Sequence, residues 1–502
     1  MMQPRINIAR RRFLKTGAAA AALVALPRFR AMATGPMNVD PVLALSTVEV
    51  AKLLRDGQIT SVELVRKCYE RIDAVNPIIN AVVAQCRERA LSEAAEADAL
   101  LTTGKPKGPL HGVPFTVKDS FDTAGVVSTG GTLGRKDFVP GADATVVARA
   151  RAAGAILLGK TNTPEFTLGG GGKGTVNLVY GLTKNPYDVE YQPSGSSGGA
   201  GAIVAAAGAY FDIGSDYGGS IRGPAYANGI AGIKPTYGRV PRTGHIVGYG
   251  GAFDNFQETG PLARRVEDLA LLMPVLVGPD DWDAAMAPVP LRDPKAVDLK
   301  SLRVAYYTTN GAVDPTPELQ ATVTQTVGLL RKLGAKVTED RPPKMSELAE
   351  ARQAFNGADG REHMRRLLKV HGTMQASPGL RLDGTAVPSS DFTRLCEEMD
   401  AIKSEQLAWL EKYDLIVCPA SDRAPIRLDH ERPADRPAGA SYTSQYNTTG
   451  WPAGVVRCGT STEAAGLPLG IQVVAQPWRD DVVLAAMAYI EQQTGGWQAT
   501  PI

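Results

Sequence analysis

The sequence predicts an α/β architecture, a sheet covered by helices. Two observations carry that reading. Between 110 and 275, short β-prone runs such as Val113–Val117 and Ala155–Leu158 alternate with Ala-rich helical stretches such as Ala142–Ala153 and Gly199–Gly208. The strand pattern then returns at Asp414–Pro419, Gly454–Arg457 and Leu469–Val474. Late strands are therefore expected to join the early sheet in one large domain, residues 34–502. A chain of 502 residues, 44% hydrophobic and 21% charged, has enough apolar material for such a core.

Taken in order, the first 33 residues stand apart. Arg10-Arg11-Arg12-Phe13-Leu14-Lys15 precedes an uncharged apolar run, Ala18 to Leu26. That run is shorter than the roughly 20 apolar residues a membrane span needs, so no stable membrane anchor is expected. A basic start, a short apolar run and Ala31-Met32-Ala33 read as a secretory signal cleaved after Ala33. The segment resembles a twin-arginine (Tat) signal, with Ala9 where the motif usually has Ser or Thr. The resemblance implies a bacterial protein carried folded by the Tat export machinery to the periplasm or beyond.

Residues 1–33 hold seven basic residues and no acid, leaving 47 basic against 52 acidic residues for the rest. A mildly acidic body argues against nucleic acid, whose phosphates reward dense Lys and Arg. Five cysteines without a CxxC pair and five histidines without metal spacing suggest neither a disulfide scaffold nor a metal site. No cofactor is expected.

Residues 46–100 read as helices. Ser46-x-x-Glu49 and Thr60-x-x-Glu63 are capping-box patterns, and Leu53, Leu54, Val62, Leu64, Val65, Cys68 and Ile72 recur at helical spacing. The Pro- and Asp-rich stretch 280–302 reads as a surface connection. Leu302–Tyr307 reads as a strand, Pro317–Leu333 as a helix and 345–412 as a long polar helical stretch. A helical subregion near 303–412 is a candidate lid over the active site.

Three segments carry chemistry. Tyr191-Gln192-Pro193-Ser194-Gly195-Ser196-Ser197-Gly198-Gly199-Ala200-Gly201 is too rich in Gly and Ser to fill a core and suits close backbone approach to a ligand. Ile213-Gly214-Ser215-Asp216-Tyr217-Gly218-Gly219-Ser220-Ile221-Arg222 places a Gly-Gly-Ser turn between a strand-like run and a helix. Such a turn exposes a hydroxyl and aims backbone N–H groups at one point, as in an oxyanion hole. Lys118-Asp119 ends the apolar run Val113-Pro114-Phe115-Thr116-Val117.

Together, in this order and spacing, these segments resemble the amidase signature family. The resemblance extends over nearly the whole mature chain, through Gly159-Lys160-Thr161-Asn162-Thr163-Pro164-Glu165, Gly232-Ile233-Lys234-Pro235-Thr236 and Gly466-Leu467-Pro468-Leu469-Gly470-Ile471-Gln472. It implies a large central twisted mixed β-sheet flanked by helices on both sides. It also implies a triad of Lys118, a cis-peptide Ser196 and the nucleophile Ser220. A hydroxyl is a poor nucleophile until a base takes its proton. Lysine serves as that base only when neutral, and burial favours the neutral form. The backbone N–H groups of Tyr217, Gly218, Gly219 and Ser220 are the implied oxyanion hole. Ser197, Asp216 and Arg222 match positions that support the relay and brace the loop. Gly169, Gly170 and Gly171 match the loop that closes over the acyl site. Tyr446 and Trp451 lie where the family often places substrate-facing residues, with a core role as the alternative.

Three departures from the family pattern stand out: Ser194 for a usual Gly, Tyr217 for a smaller or aliphatic residue, and Gly223 for an apolar one. Gly169–Gly174 with Lys173 is not a phosphate loop, because Gly174 follows the lysine. No G-x-S-x-G elbow is present, which disfavours a Ser-His-Asp hydrolase. The expected function is hydrolysis of a small-molecule carboxylic amide, or an ester, through an acyl-enzyme. The alternative is the amidotransferase component that converts misacylated tRNA, and the export signal and acidic body argue against it. A non-catalytic binding protein on the same fold is a third reading, opposed by retention of all three triad residues. The acyl and amine groups stay open, as does the oligomeric state, although dimers are common in the family.

Overall fold

The computed structural model describes residues 39–170, 172–249, 251–430, 437–464 and 466–502. The expected signal peptide, residues 1–33, lies outside them, as does Gly171.

After a short 3-10 turn at Pro41–Ala44 come two capped helices. Before α1 (Thr47–Arg55), the Glu49 N–H donates to the Ser46 hydroxyl at 3.1 Å and the Ser46 N–H donates to the Glu49 carboxylate at 2.8 Å. Both halves of a capping box are thus made. Before α2 (Ser61–Ile79) only one half forms, the Glu63 N–H donating to the Thr60 hydroxyl at 3.1 Å. The helical reading of 46–100 needs one correction, strand β1 (Val82–Gln85), which precedes α3 (Arg87–Thr102). Only the first of its four residues is buried, so no alternation marks it in the sequence.

Next come β2 (Pro114–Lys118), α4 (Thr145–Ala152), β3 (Ile156–Thr161) and a short hairpin of β4 (Val176–Asn177) and β5 (Gly181–Leu182). α5 (Gly198–Ala205), β6 (Phe211–Asp216), α6 (Arg222–Ala227), β7 (Ala231–Lys234), β8 (Glu258–Ala263) and α7 (Val266–Leu276) complete the first half. The second half runs β9 (Arg303–Tyr306), α8 (Pro317–Leu333), β10 (Lys336–Glu339), α9 (Met345–Gly357), α10 (Glu362–Val370) and α11 (Ser389–Leu410). It ends with β11 (Leu415–Pro419), α12 (Ser444–Thr448), β12 (Ala453–Thr460), β13 (Pro468–Ala475) and α13 (Asp480–Thr494).

Among the described residues, eleven strands form one mixed sheet in the order β1-β3-β2-β6-β8-β7-β12-β13-β11-β9-β10. The halves meet where β7 pairs antiparallel with β12, Ile233 opposite Gly454. Late strands therefore do join the early sheet, and Asn38–Ile502 forms one compact unit. Both faces are covered. Along β11, Leu415 and Val417 enter one buried apolar cluster while Ile416 and Cys418 enter another, as the two-residue period of a strand requires.

The subregion near 303–412 is not helical throughout. Its first part contributes β9 and β10 to the sheet, with α8 between them. The long polar stretch is three helices, α9 to α11, rather than one.

The parallel trio β3-β2-β6 sets up the site. Val117 lies opposite Ile213, so the C-terminal ends of β2 and β6 emerge side by side. α5 packs its start against β3: a Cβ on Gly199 would lie 2.4 Å from the Asn162 nitrogen and 2.7 Å from the Ala81 oxygen. Backbone cannot yield as a side chain can. We expect Gly199→Ala to lower stability by about 1–3 kcal/mol, the usual cost of overpacking, read as a lower denaturant midpoint at unchanged m-value.

Candidate active site

β2 is buried at all five positions and delivers Lys118, with no exposed surface, to the floor of the site. The lysine Nζ lies 2.7 Å from Ser196 Oγ, 2.9 Å from Ser215 Oγ and 3.4 Å from the Ser215 carbonyl oxygen. Burial pushes its pKa down to about 7, against the opposing pull of the Asp216 and Asp212 carboxylates. The ammonium is thus as easily neutral as charged near neutral pH.

A further contact extends this chain of groups. His245 Nε2 lies 3.0 Å from Ser215 Oγ, and the Val247 N–H donates to His245 Nδ1 at 3.4 Å. An accepting Nδ1 assigns the ring proton to Nε2, which then donates to Ser215. Burial, reinforced by the neighbouring Lys118 and Arg242 charges, holds the His245 pKa well below its usual value, so the ring stays neutral. In the sequence, His245 is only one of five histidines without metal spacing.

Ser196 follows a cis Gly195–Ser196 bond and is 3% exposed. Ser197 ties its loop to the next one: its N–H donates to the Ser220 carbonyl at 3.1 Å and its hydroxyl to the Ser215 carbonyl at 3.3 Å. Ser220 itself is partly exposed and lines a cavity of about 260 Å³ with Gly195, Tyr217, Gly218 and Gly219.

The turn that carries Ser220 is wound around one carboxylate. Asp216 accepts from the N–H groups of Gly219 at 2.7 Å and Ile221 at 3.0 Å, from the Arg222 guanidinium at 2.9 and 3.1 Å, and from the Asn447 amide at 2.9 Å. Although burial opposes ionisation, the Arg222 charge and these donors hold its carboxyl well below the usual range. Arg222 reaches on to the Thr443 carbonyl at 2.8 Å, Gln472 at 2.7 Å and Asn447 at 2.5 Å.

These bonds correct the expected oxyanion hole. The Gly219 N–H faces the Asp216 carboxylate rather than the cavity. Gly219 sits at φ +123°, a conformation that favours glycine, and a Cβ there would lie 2.2 Å from Thr443 Oγ1. Among the described residues nothing accepts from the N–H groups of Tyr217, Gly218 and Ser220, and all three residues line the cavity. Carbonyl and N–H point oppositely across a trans peptide, so the neighbours of a carbonyl set where the next N–H aims. Arg352 donates to the Tyr217 carbonyl, which turns the Gly218 N–H away from Arg352. Thr443 donates to the Gly218 carbonyl at 2.7 Å and so turns the Gly219 N–H toward Asp216. Arg352, buried in α9, carries no local signal in the sequence.

The expected substrate contacts fare unevenly. Gly169 is buried, its N–H donating to the Glu165 carbonyl at 2.9 Å. Gly170 bridges to Gly379. The flanking Leu168 and Gly172 reach cavity walls instead. Tyr446 and Trp451 are core residues, buried in one apolar cluster, and the Tyr446 hydroxyl pairs with that of Tyr307 at 2.8 Å. Tyr442 and Thr443, just before α12, line the Ser220 cavity.

With this geometry in view, the family model described as Amidase matches residues 63–484. The chain belongs to the amidase family. Human fatty-acid amide hydrolase 2 is 34% identical to it over 95% of this chain and 94% of that protein. A glutamyl-tRNA(Gln) amidotransferase component from Moorella thermoacetica is also 34% identical, over 90% and 96%. Among solved structures, 6-aminohexanoate cyclic dimer hydrolase complexed with substrate matches with a TM-score of 0.81 at 27% identity, covering 92% of this chain and 99% of that one. A peptide amidase bound to the competitive inhibitor chymostatin matches with a TM-score of 0.78 at 28% identity, covering 92% and 100%. The chemistry of this amidase is hydrolysis of carbon–nitrogen bonds in amides.

The buried Asp216–Arg222 pair yields a direct expectation. Asp216→Ala leaves the guanidinium buried without its carboxylate, a loss of about 3–5 kcal/mol, which a thermal or urea unfolding curve would show. Asp216→Ala at wild-type stability would remove this account of the turn.

Proposed function

We propose that this amidase works through an acyl-enzyme on Ser220, with Ser196 as proton relay and Lys118 as base. The observation that carries the reading is the 2.7 Å contact between the Lys118 amine and the Ser196 hydroxyl. Both groups are buried, next to a cavity that exposes Ser220. Neutral Lys118 takes the Ser196 proton as Ser196 takes that of Ser220. The Ser220 oxygen then bonds to the substrate carbonyl carbon, and the N–H groups of Tyr217, Gly218 and Ser220 receive the developing oxyanion. The relay returns the proton to the leaving nitrogen as the carbon–nitrogen bond breaks. Water, deprotonated by the same relay, releases the acid and restores Ser220. Asp216, Arg222, Ser197 and His245 act through these groups as positioning residues.

The substrate is a small carboxylic amide, with esters as alternative acyl donors. The amidotransferase reading is supported by an equal identity to the Moorella protein. Against it stand the twin-arginine motif at Arg10-Arg11 and the acidic body, since tRNA charging is cytosolic. We place the protein in the periplasm or outside the cell on the same motif, delivered by Tat export. Among the described residues no helix is long and apolar enough to cross a membrane.

Ser220→Ala is expected to abolish amide hydrolysis by the purified mature protein, assayed without any partner protein. Retained wild-type turnover would sink the assignment. The base must be neutral, so kcat/KM should rise as pH climbs through about 7, where Lys118 loses its proton, and level off above. Lys118→Met should erase both the rate and that limb. A profile flat from about pH 5 to about 9 would rule out a lysine base.

A further inference from the structure

The Ser220 cavity has a neighbour. Leu168 and Tyr217 line both it and a second cavity of about 350 Å³. Val247, Met364 and Leu380 give the second cavity an apolar wall, and Met364 and Leu380 are buried in a cluster with Phe166 and Ile246. Arg361 and Arg381 also line it, with Asp359. The Asp359 carboxylate already accepts from the backbone N–H groups of Arg361 at 2.9 Å and His363 at 2.7 Å. The Arg361 guanidinium donates to the Asn356 carbonyl at 2.8 Å, which leaves its other N–H groups and those of the exposed Arg381 as donors, so two cationic residues line the cavity against one engaged carboxylate.

The partition between the cavities is fixed in place. The Tyr217 hydroxyl donates to Asn356 at 2.8 Å, its ring meets Phe256 edge-on at 5.9 Å, and the Arg352 guanidinium lies over its face at 5.2 Å. A primary amide extends from the reacting carbon in one direction only. An amide substituted on nitrogen extends in two and needs space on both sides of the nucleophile.

We propose that the second cavity is a substrate compartment for one arm of a secondary amide, apolar along its length and ending in a carboxylate, and that Tyr217 sets how far that arm reaches. The proposal rests on Ser220 as nucleophile. The apolar wall favours a methylene arm. Arg361 and Arg381 offer planar forked donors to a terminal carboxylate.

The test measures kcat/KM for p-nitroanilides of acetic, butyric, hexanoic and adipic acids, the last keeping one free carboxylate. Benzoyl amides of hexylamine and of the matching ω-amino acid probe the amine side. Wild type should prefer the carboxylate-ended member of one pair. The double variant Arg361→Gln with Arg381→Gln should lower that preference about tenfold. Tyr217→Ala should shift the chain-length order toward longer arms on the same side, with thermal unfolding and circular dichroism checking that the variant is folded. An unchanged carboxylate preference in the double variant overturns the proposal, whatever Tyr217→Ala does to folding. So does an unchanged length order in a folded Tyr217→Ala. Failure of the underlying reading looks different: Ser220→Ala would then cleave the whole series at wild-type rates.

Discussion

The Asp216 carboxylate holds together groups that the chain delivers from three separate places. From its own turn it takes the N–H groups of Gly219 and Ile221, and from α6 the guanidinium of Arg222. From α12, more than two hundred residues later, it takes the amide of Asn447. Asn447 donates also to Glu258 at 2.9 Å, whose other oxygen accepts from Lys234 at 2.9 Å. Arg222 carries the connection to Gln472 on β13. One anion therefore fixes the shape of the nucleophile turn and joins that turn to the second half of the sheet. A buried charge in an apolar interior is costly unless surrounded in this way.

The sheet places the remaining groups. Because β2 and β6 run parallel with Val117 opposite Ile213, Lys118 ends its strand close to Ser215, and its amine meets the Ser215 hydroxyl. α5 starts at the same edge, and Ser197 ties its first turn to both Ser215 and Ser220. Location at the carboxyl ends of parallel strands suits an α/β sheet, where turns into helices leave backbone N–H groups open.

Much of this was legible because it is local. Glycine and serine crowd the two loops, Lys118 ends an apolar run, and the later strands are apolar blocks of five to eight residues. The parts that were not legible come from contacts between distant segments. His245, Arg352 and Asn447 sit in stretches whose local pattern does not distinguish them from ordinary loop or helix residues. The direction of the Gly219 N–H depends on Thr443 and Asp216 together, which no local pattern encodes. Strand β1 is short and mostly uncovered, so its backbone pairing with β3 outweighs a helical context. Tyr446 and Trp451 show the same limit from the other side, since an aromatic near a cavity and one in the core look alike in sequence.

Burying Lys118 has a consequence for the fold as a whole. In the unfolded chain its amine titrates near the ordinary value of 10.5, whereas in the fold it does so near 7. Between those two values the unfolded chain binds a proton that the folded chain does not. By linkage, this residue makes the folded state gain stability as pH rises through that window and lose it as pH falls. Below about 7 the loss is complete, because both states then carry the charge and only one must hold it away from water. The group that makes the site reactive is therefore one whose cost to the fold is already complete at neutral pH, and further acid adds nothing to it.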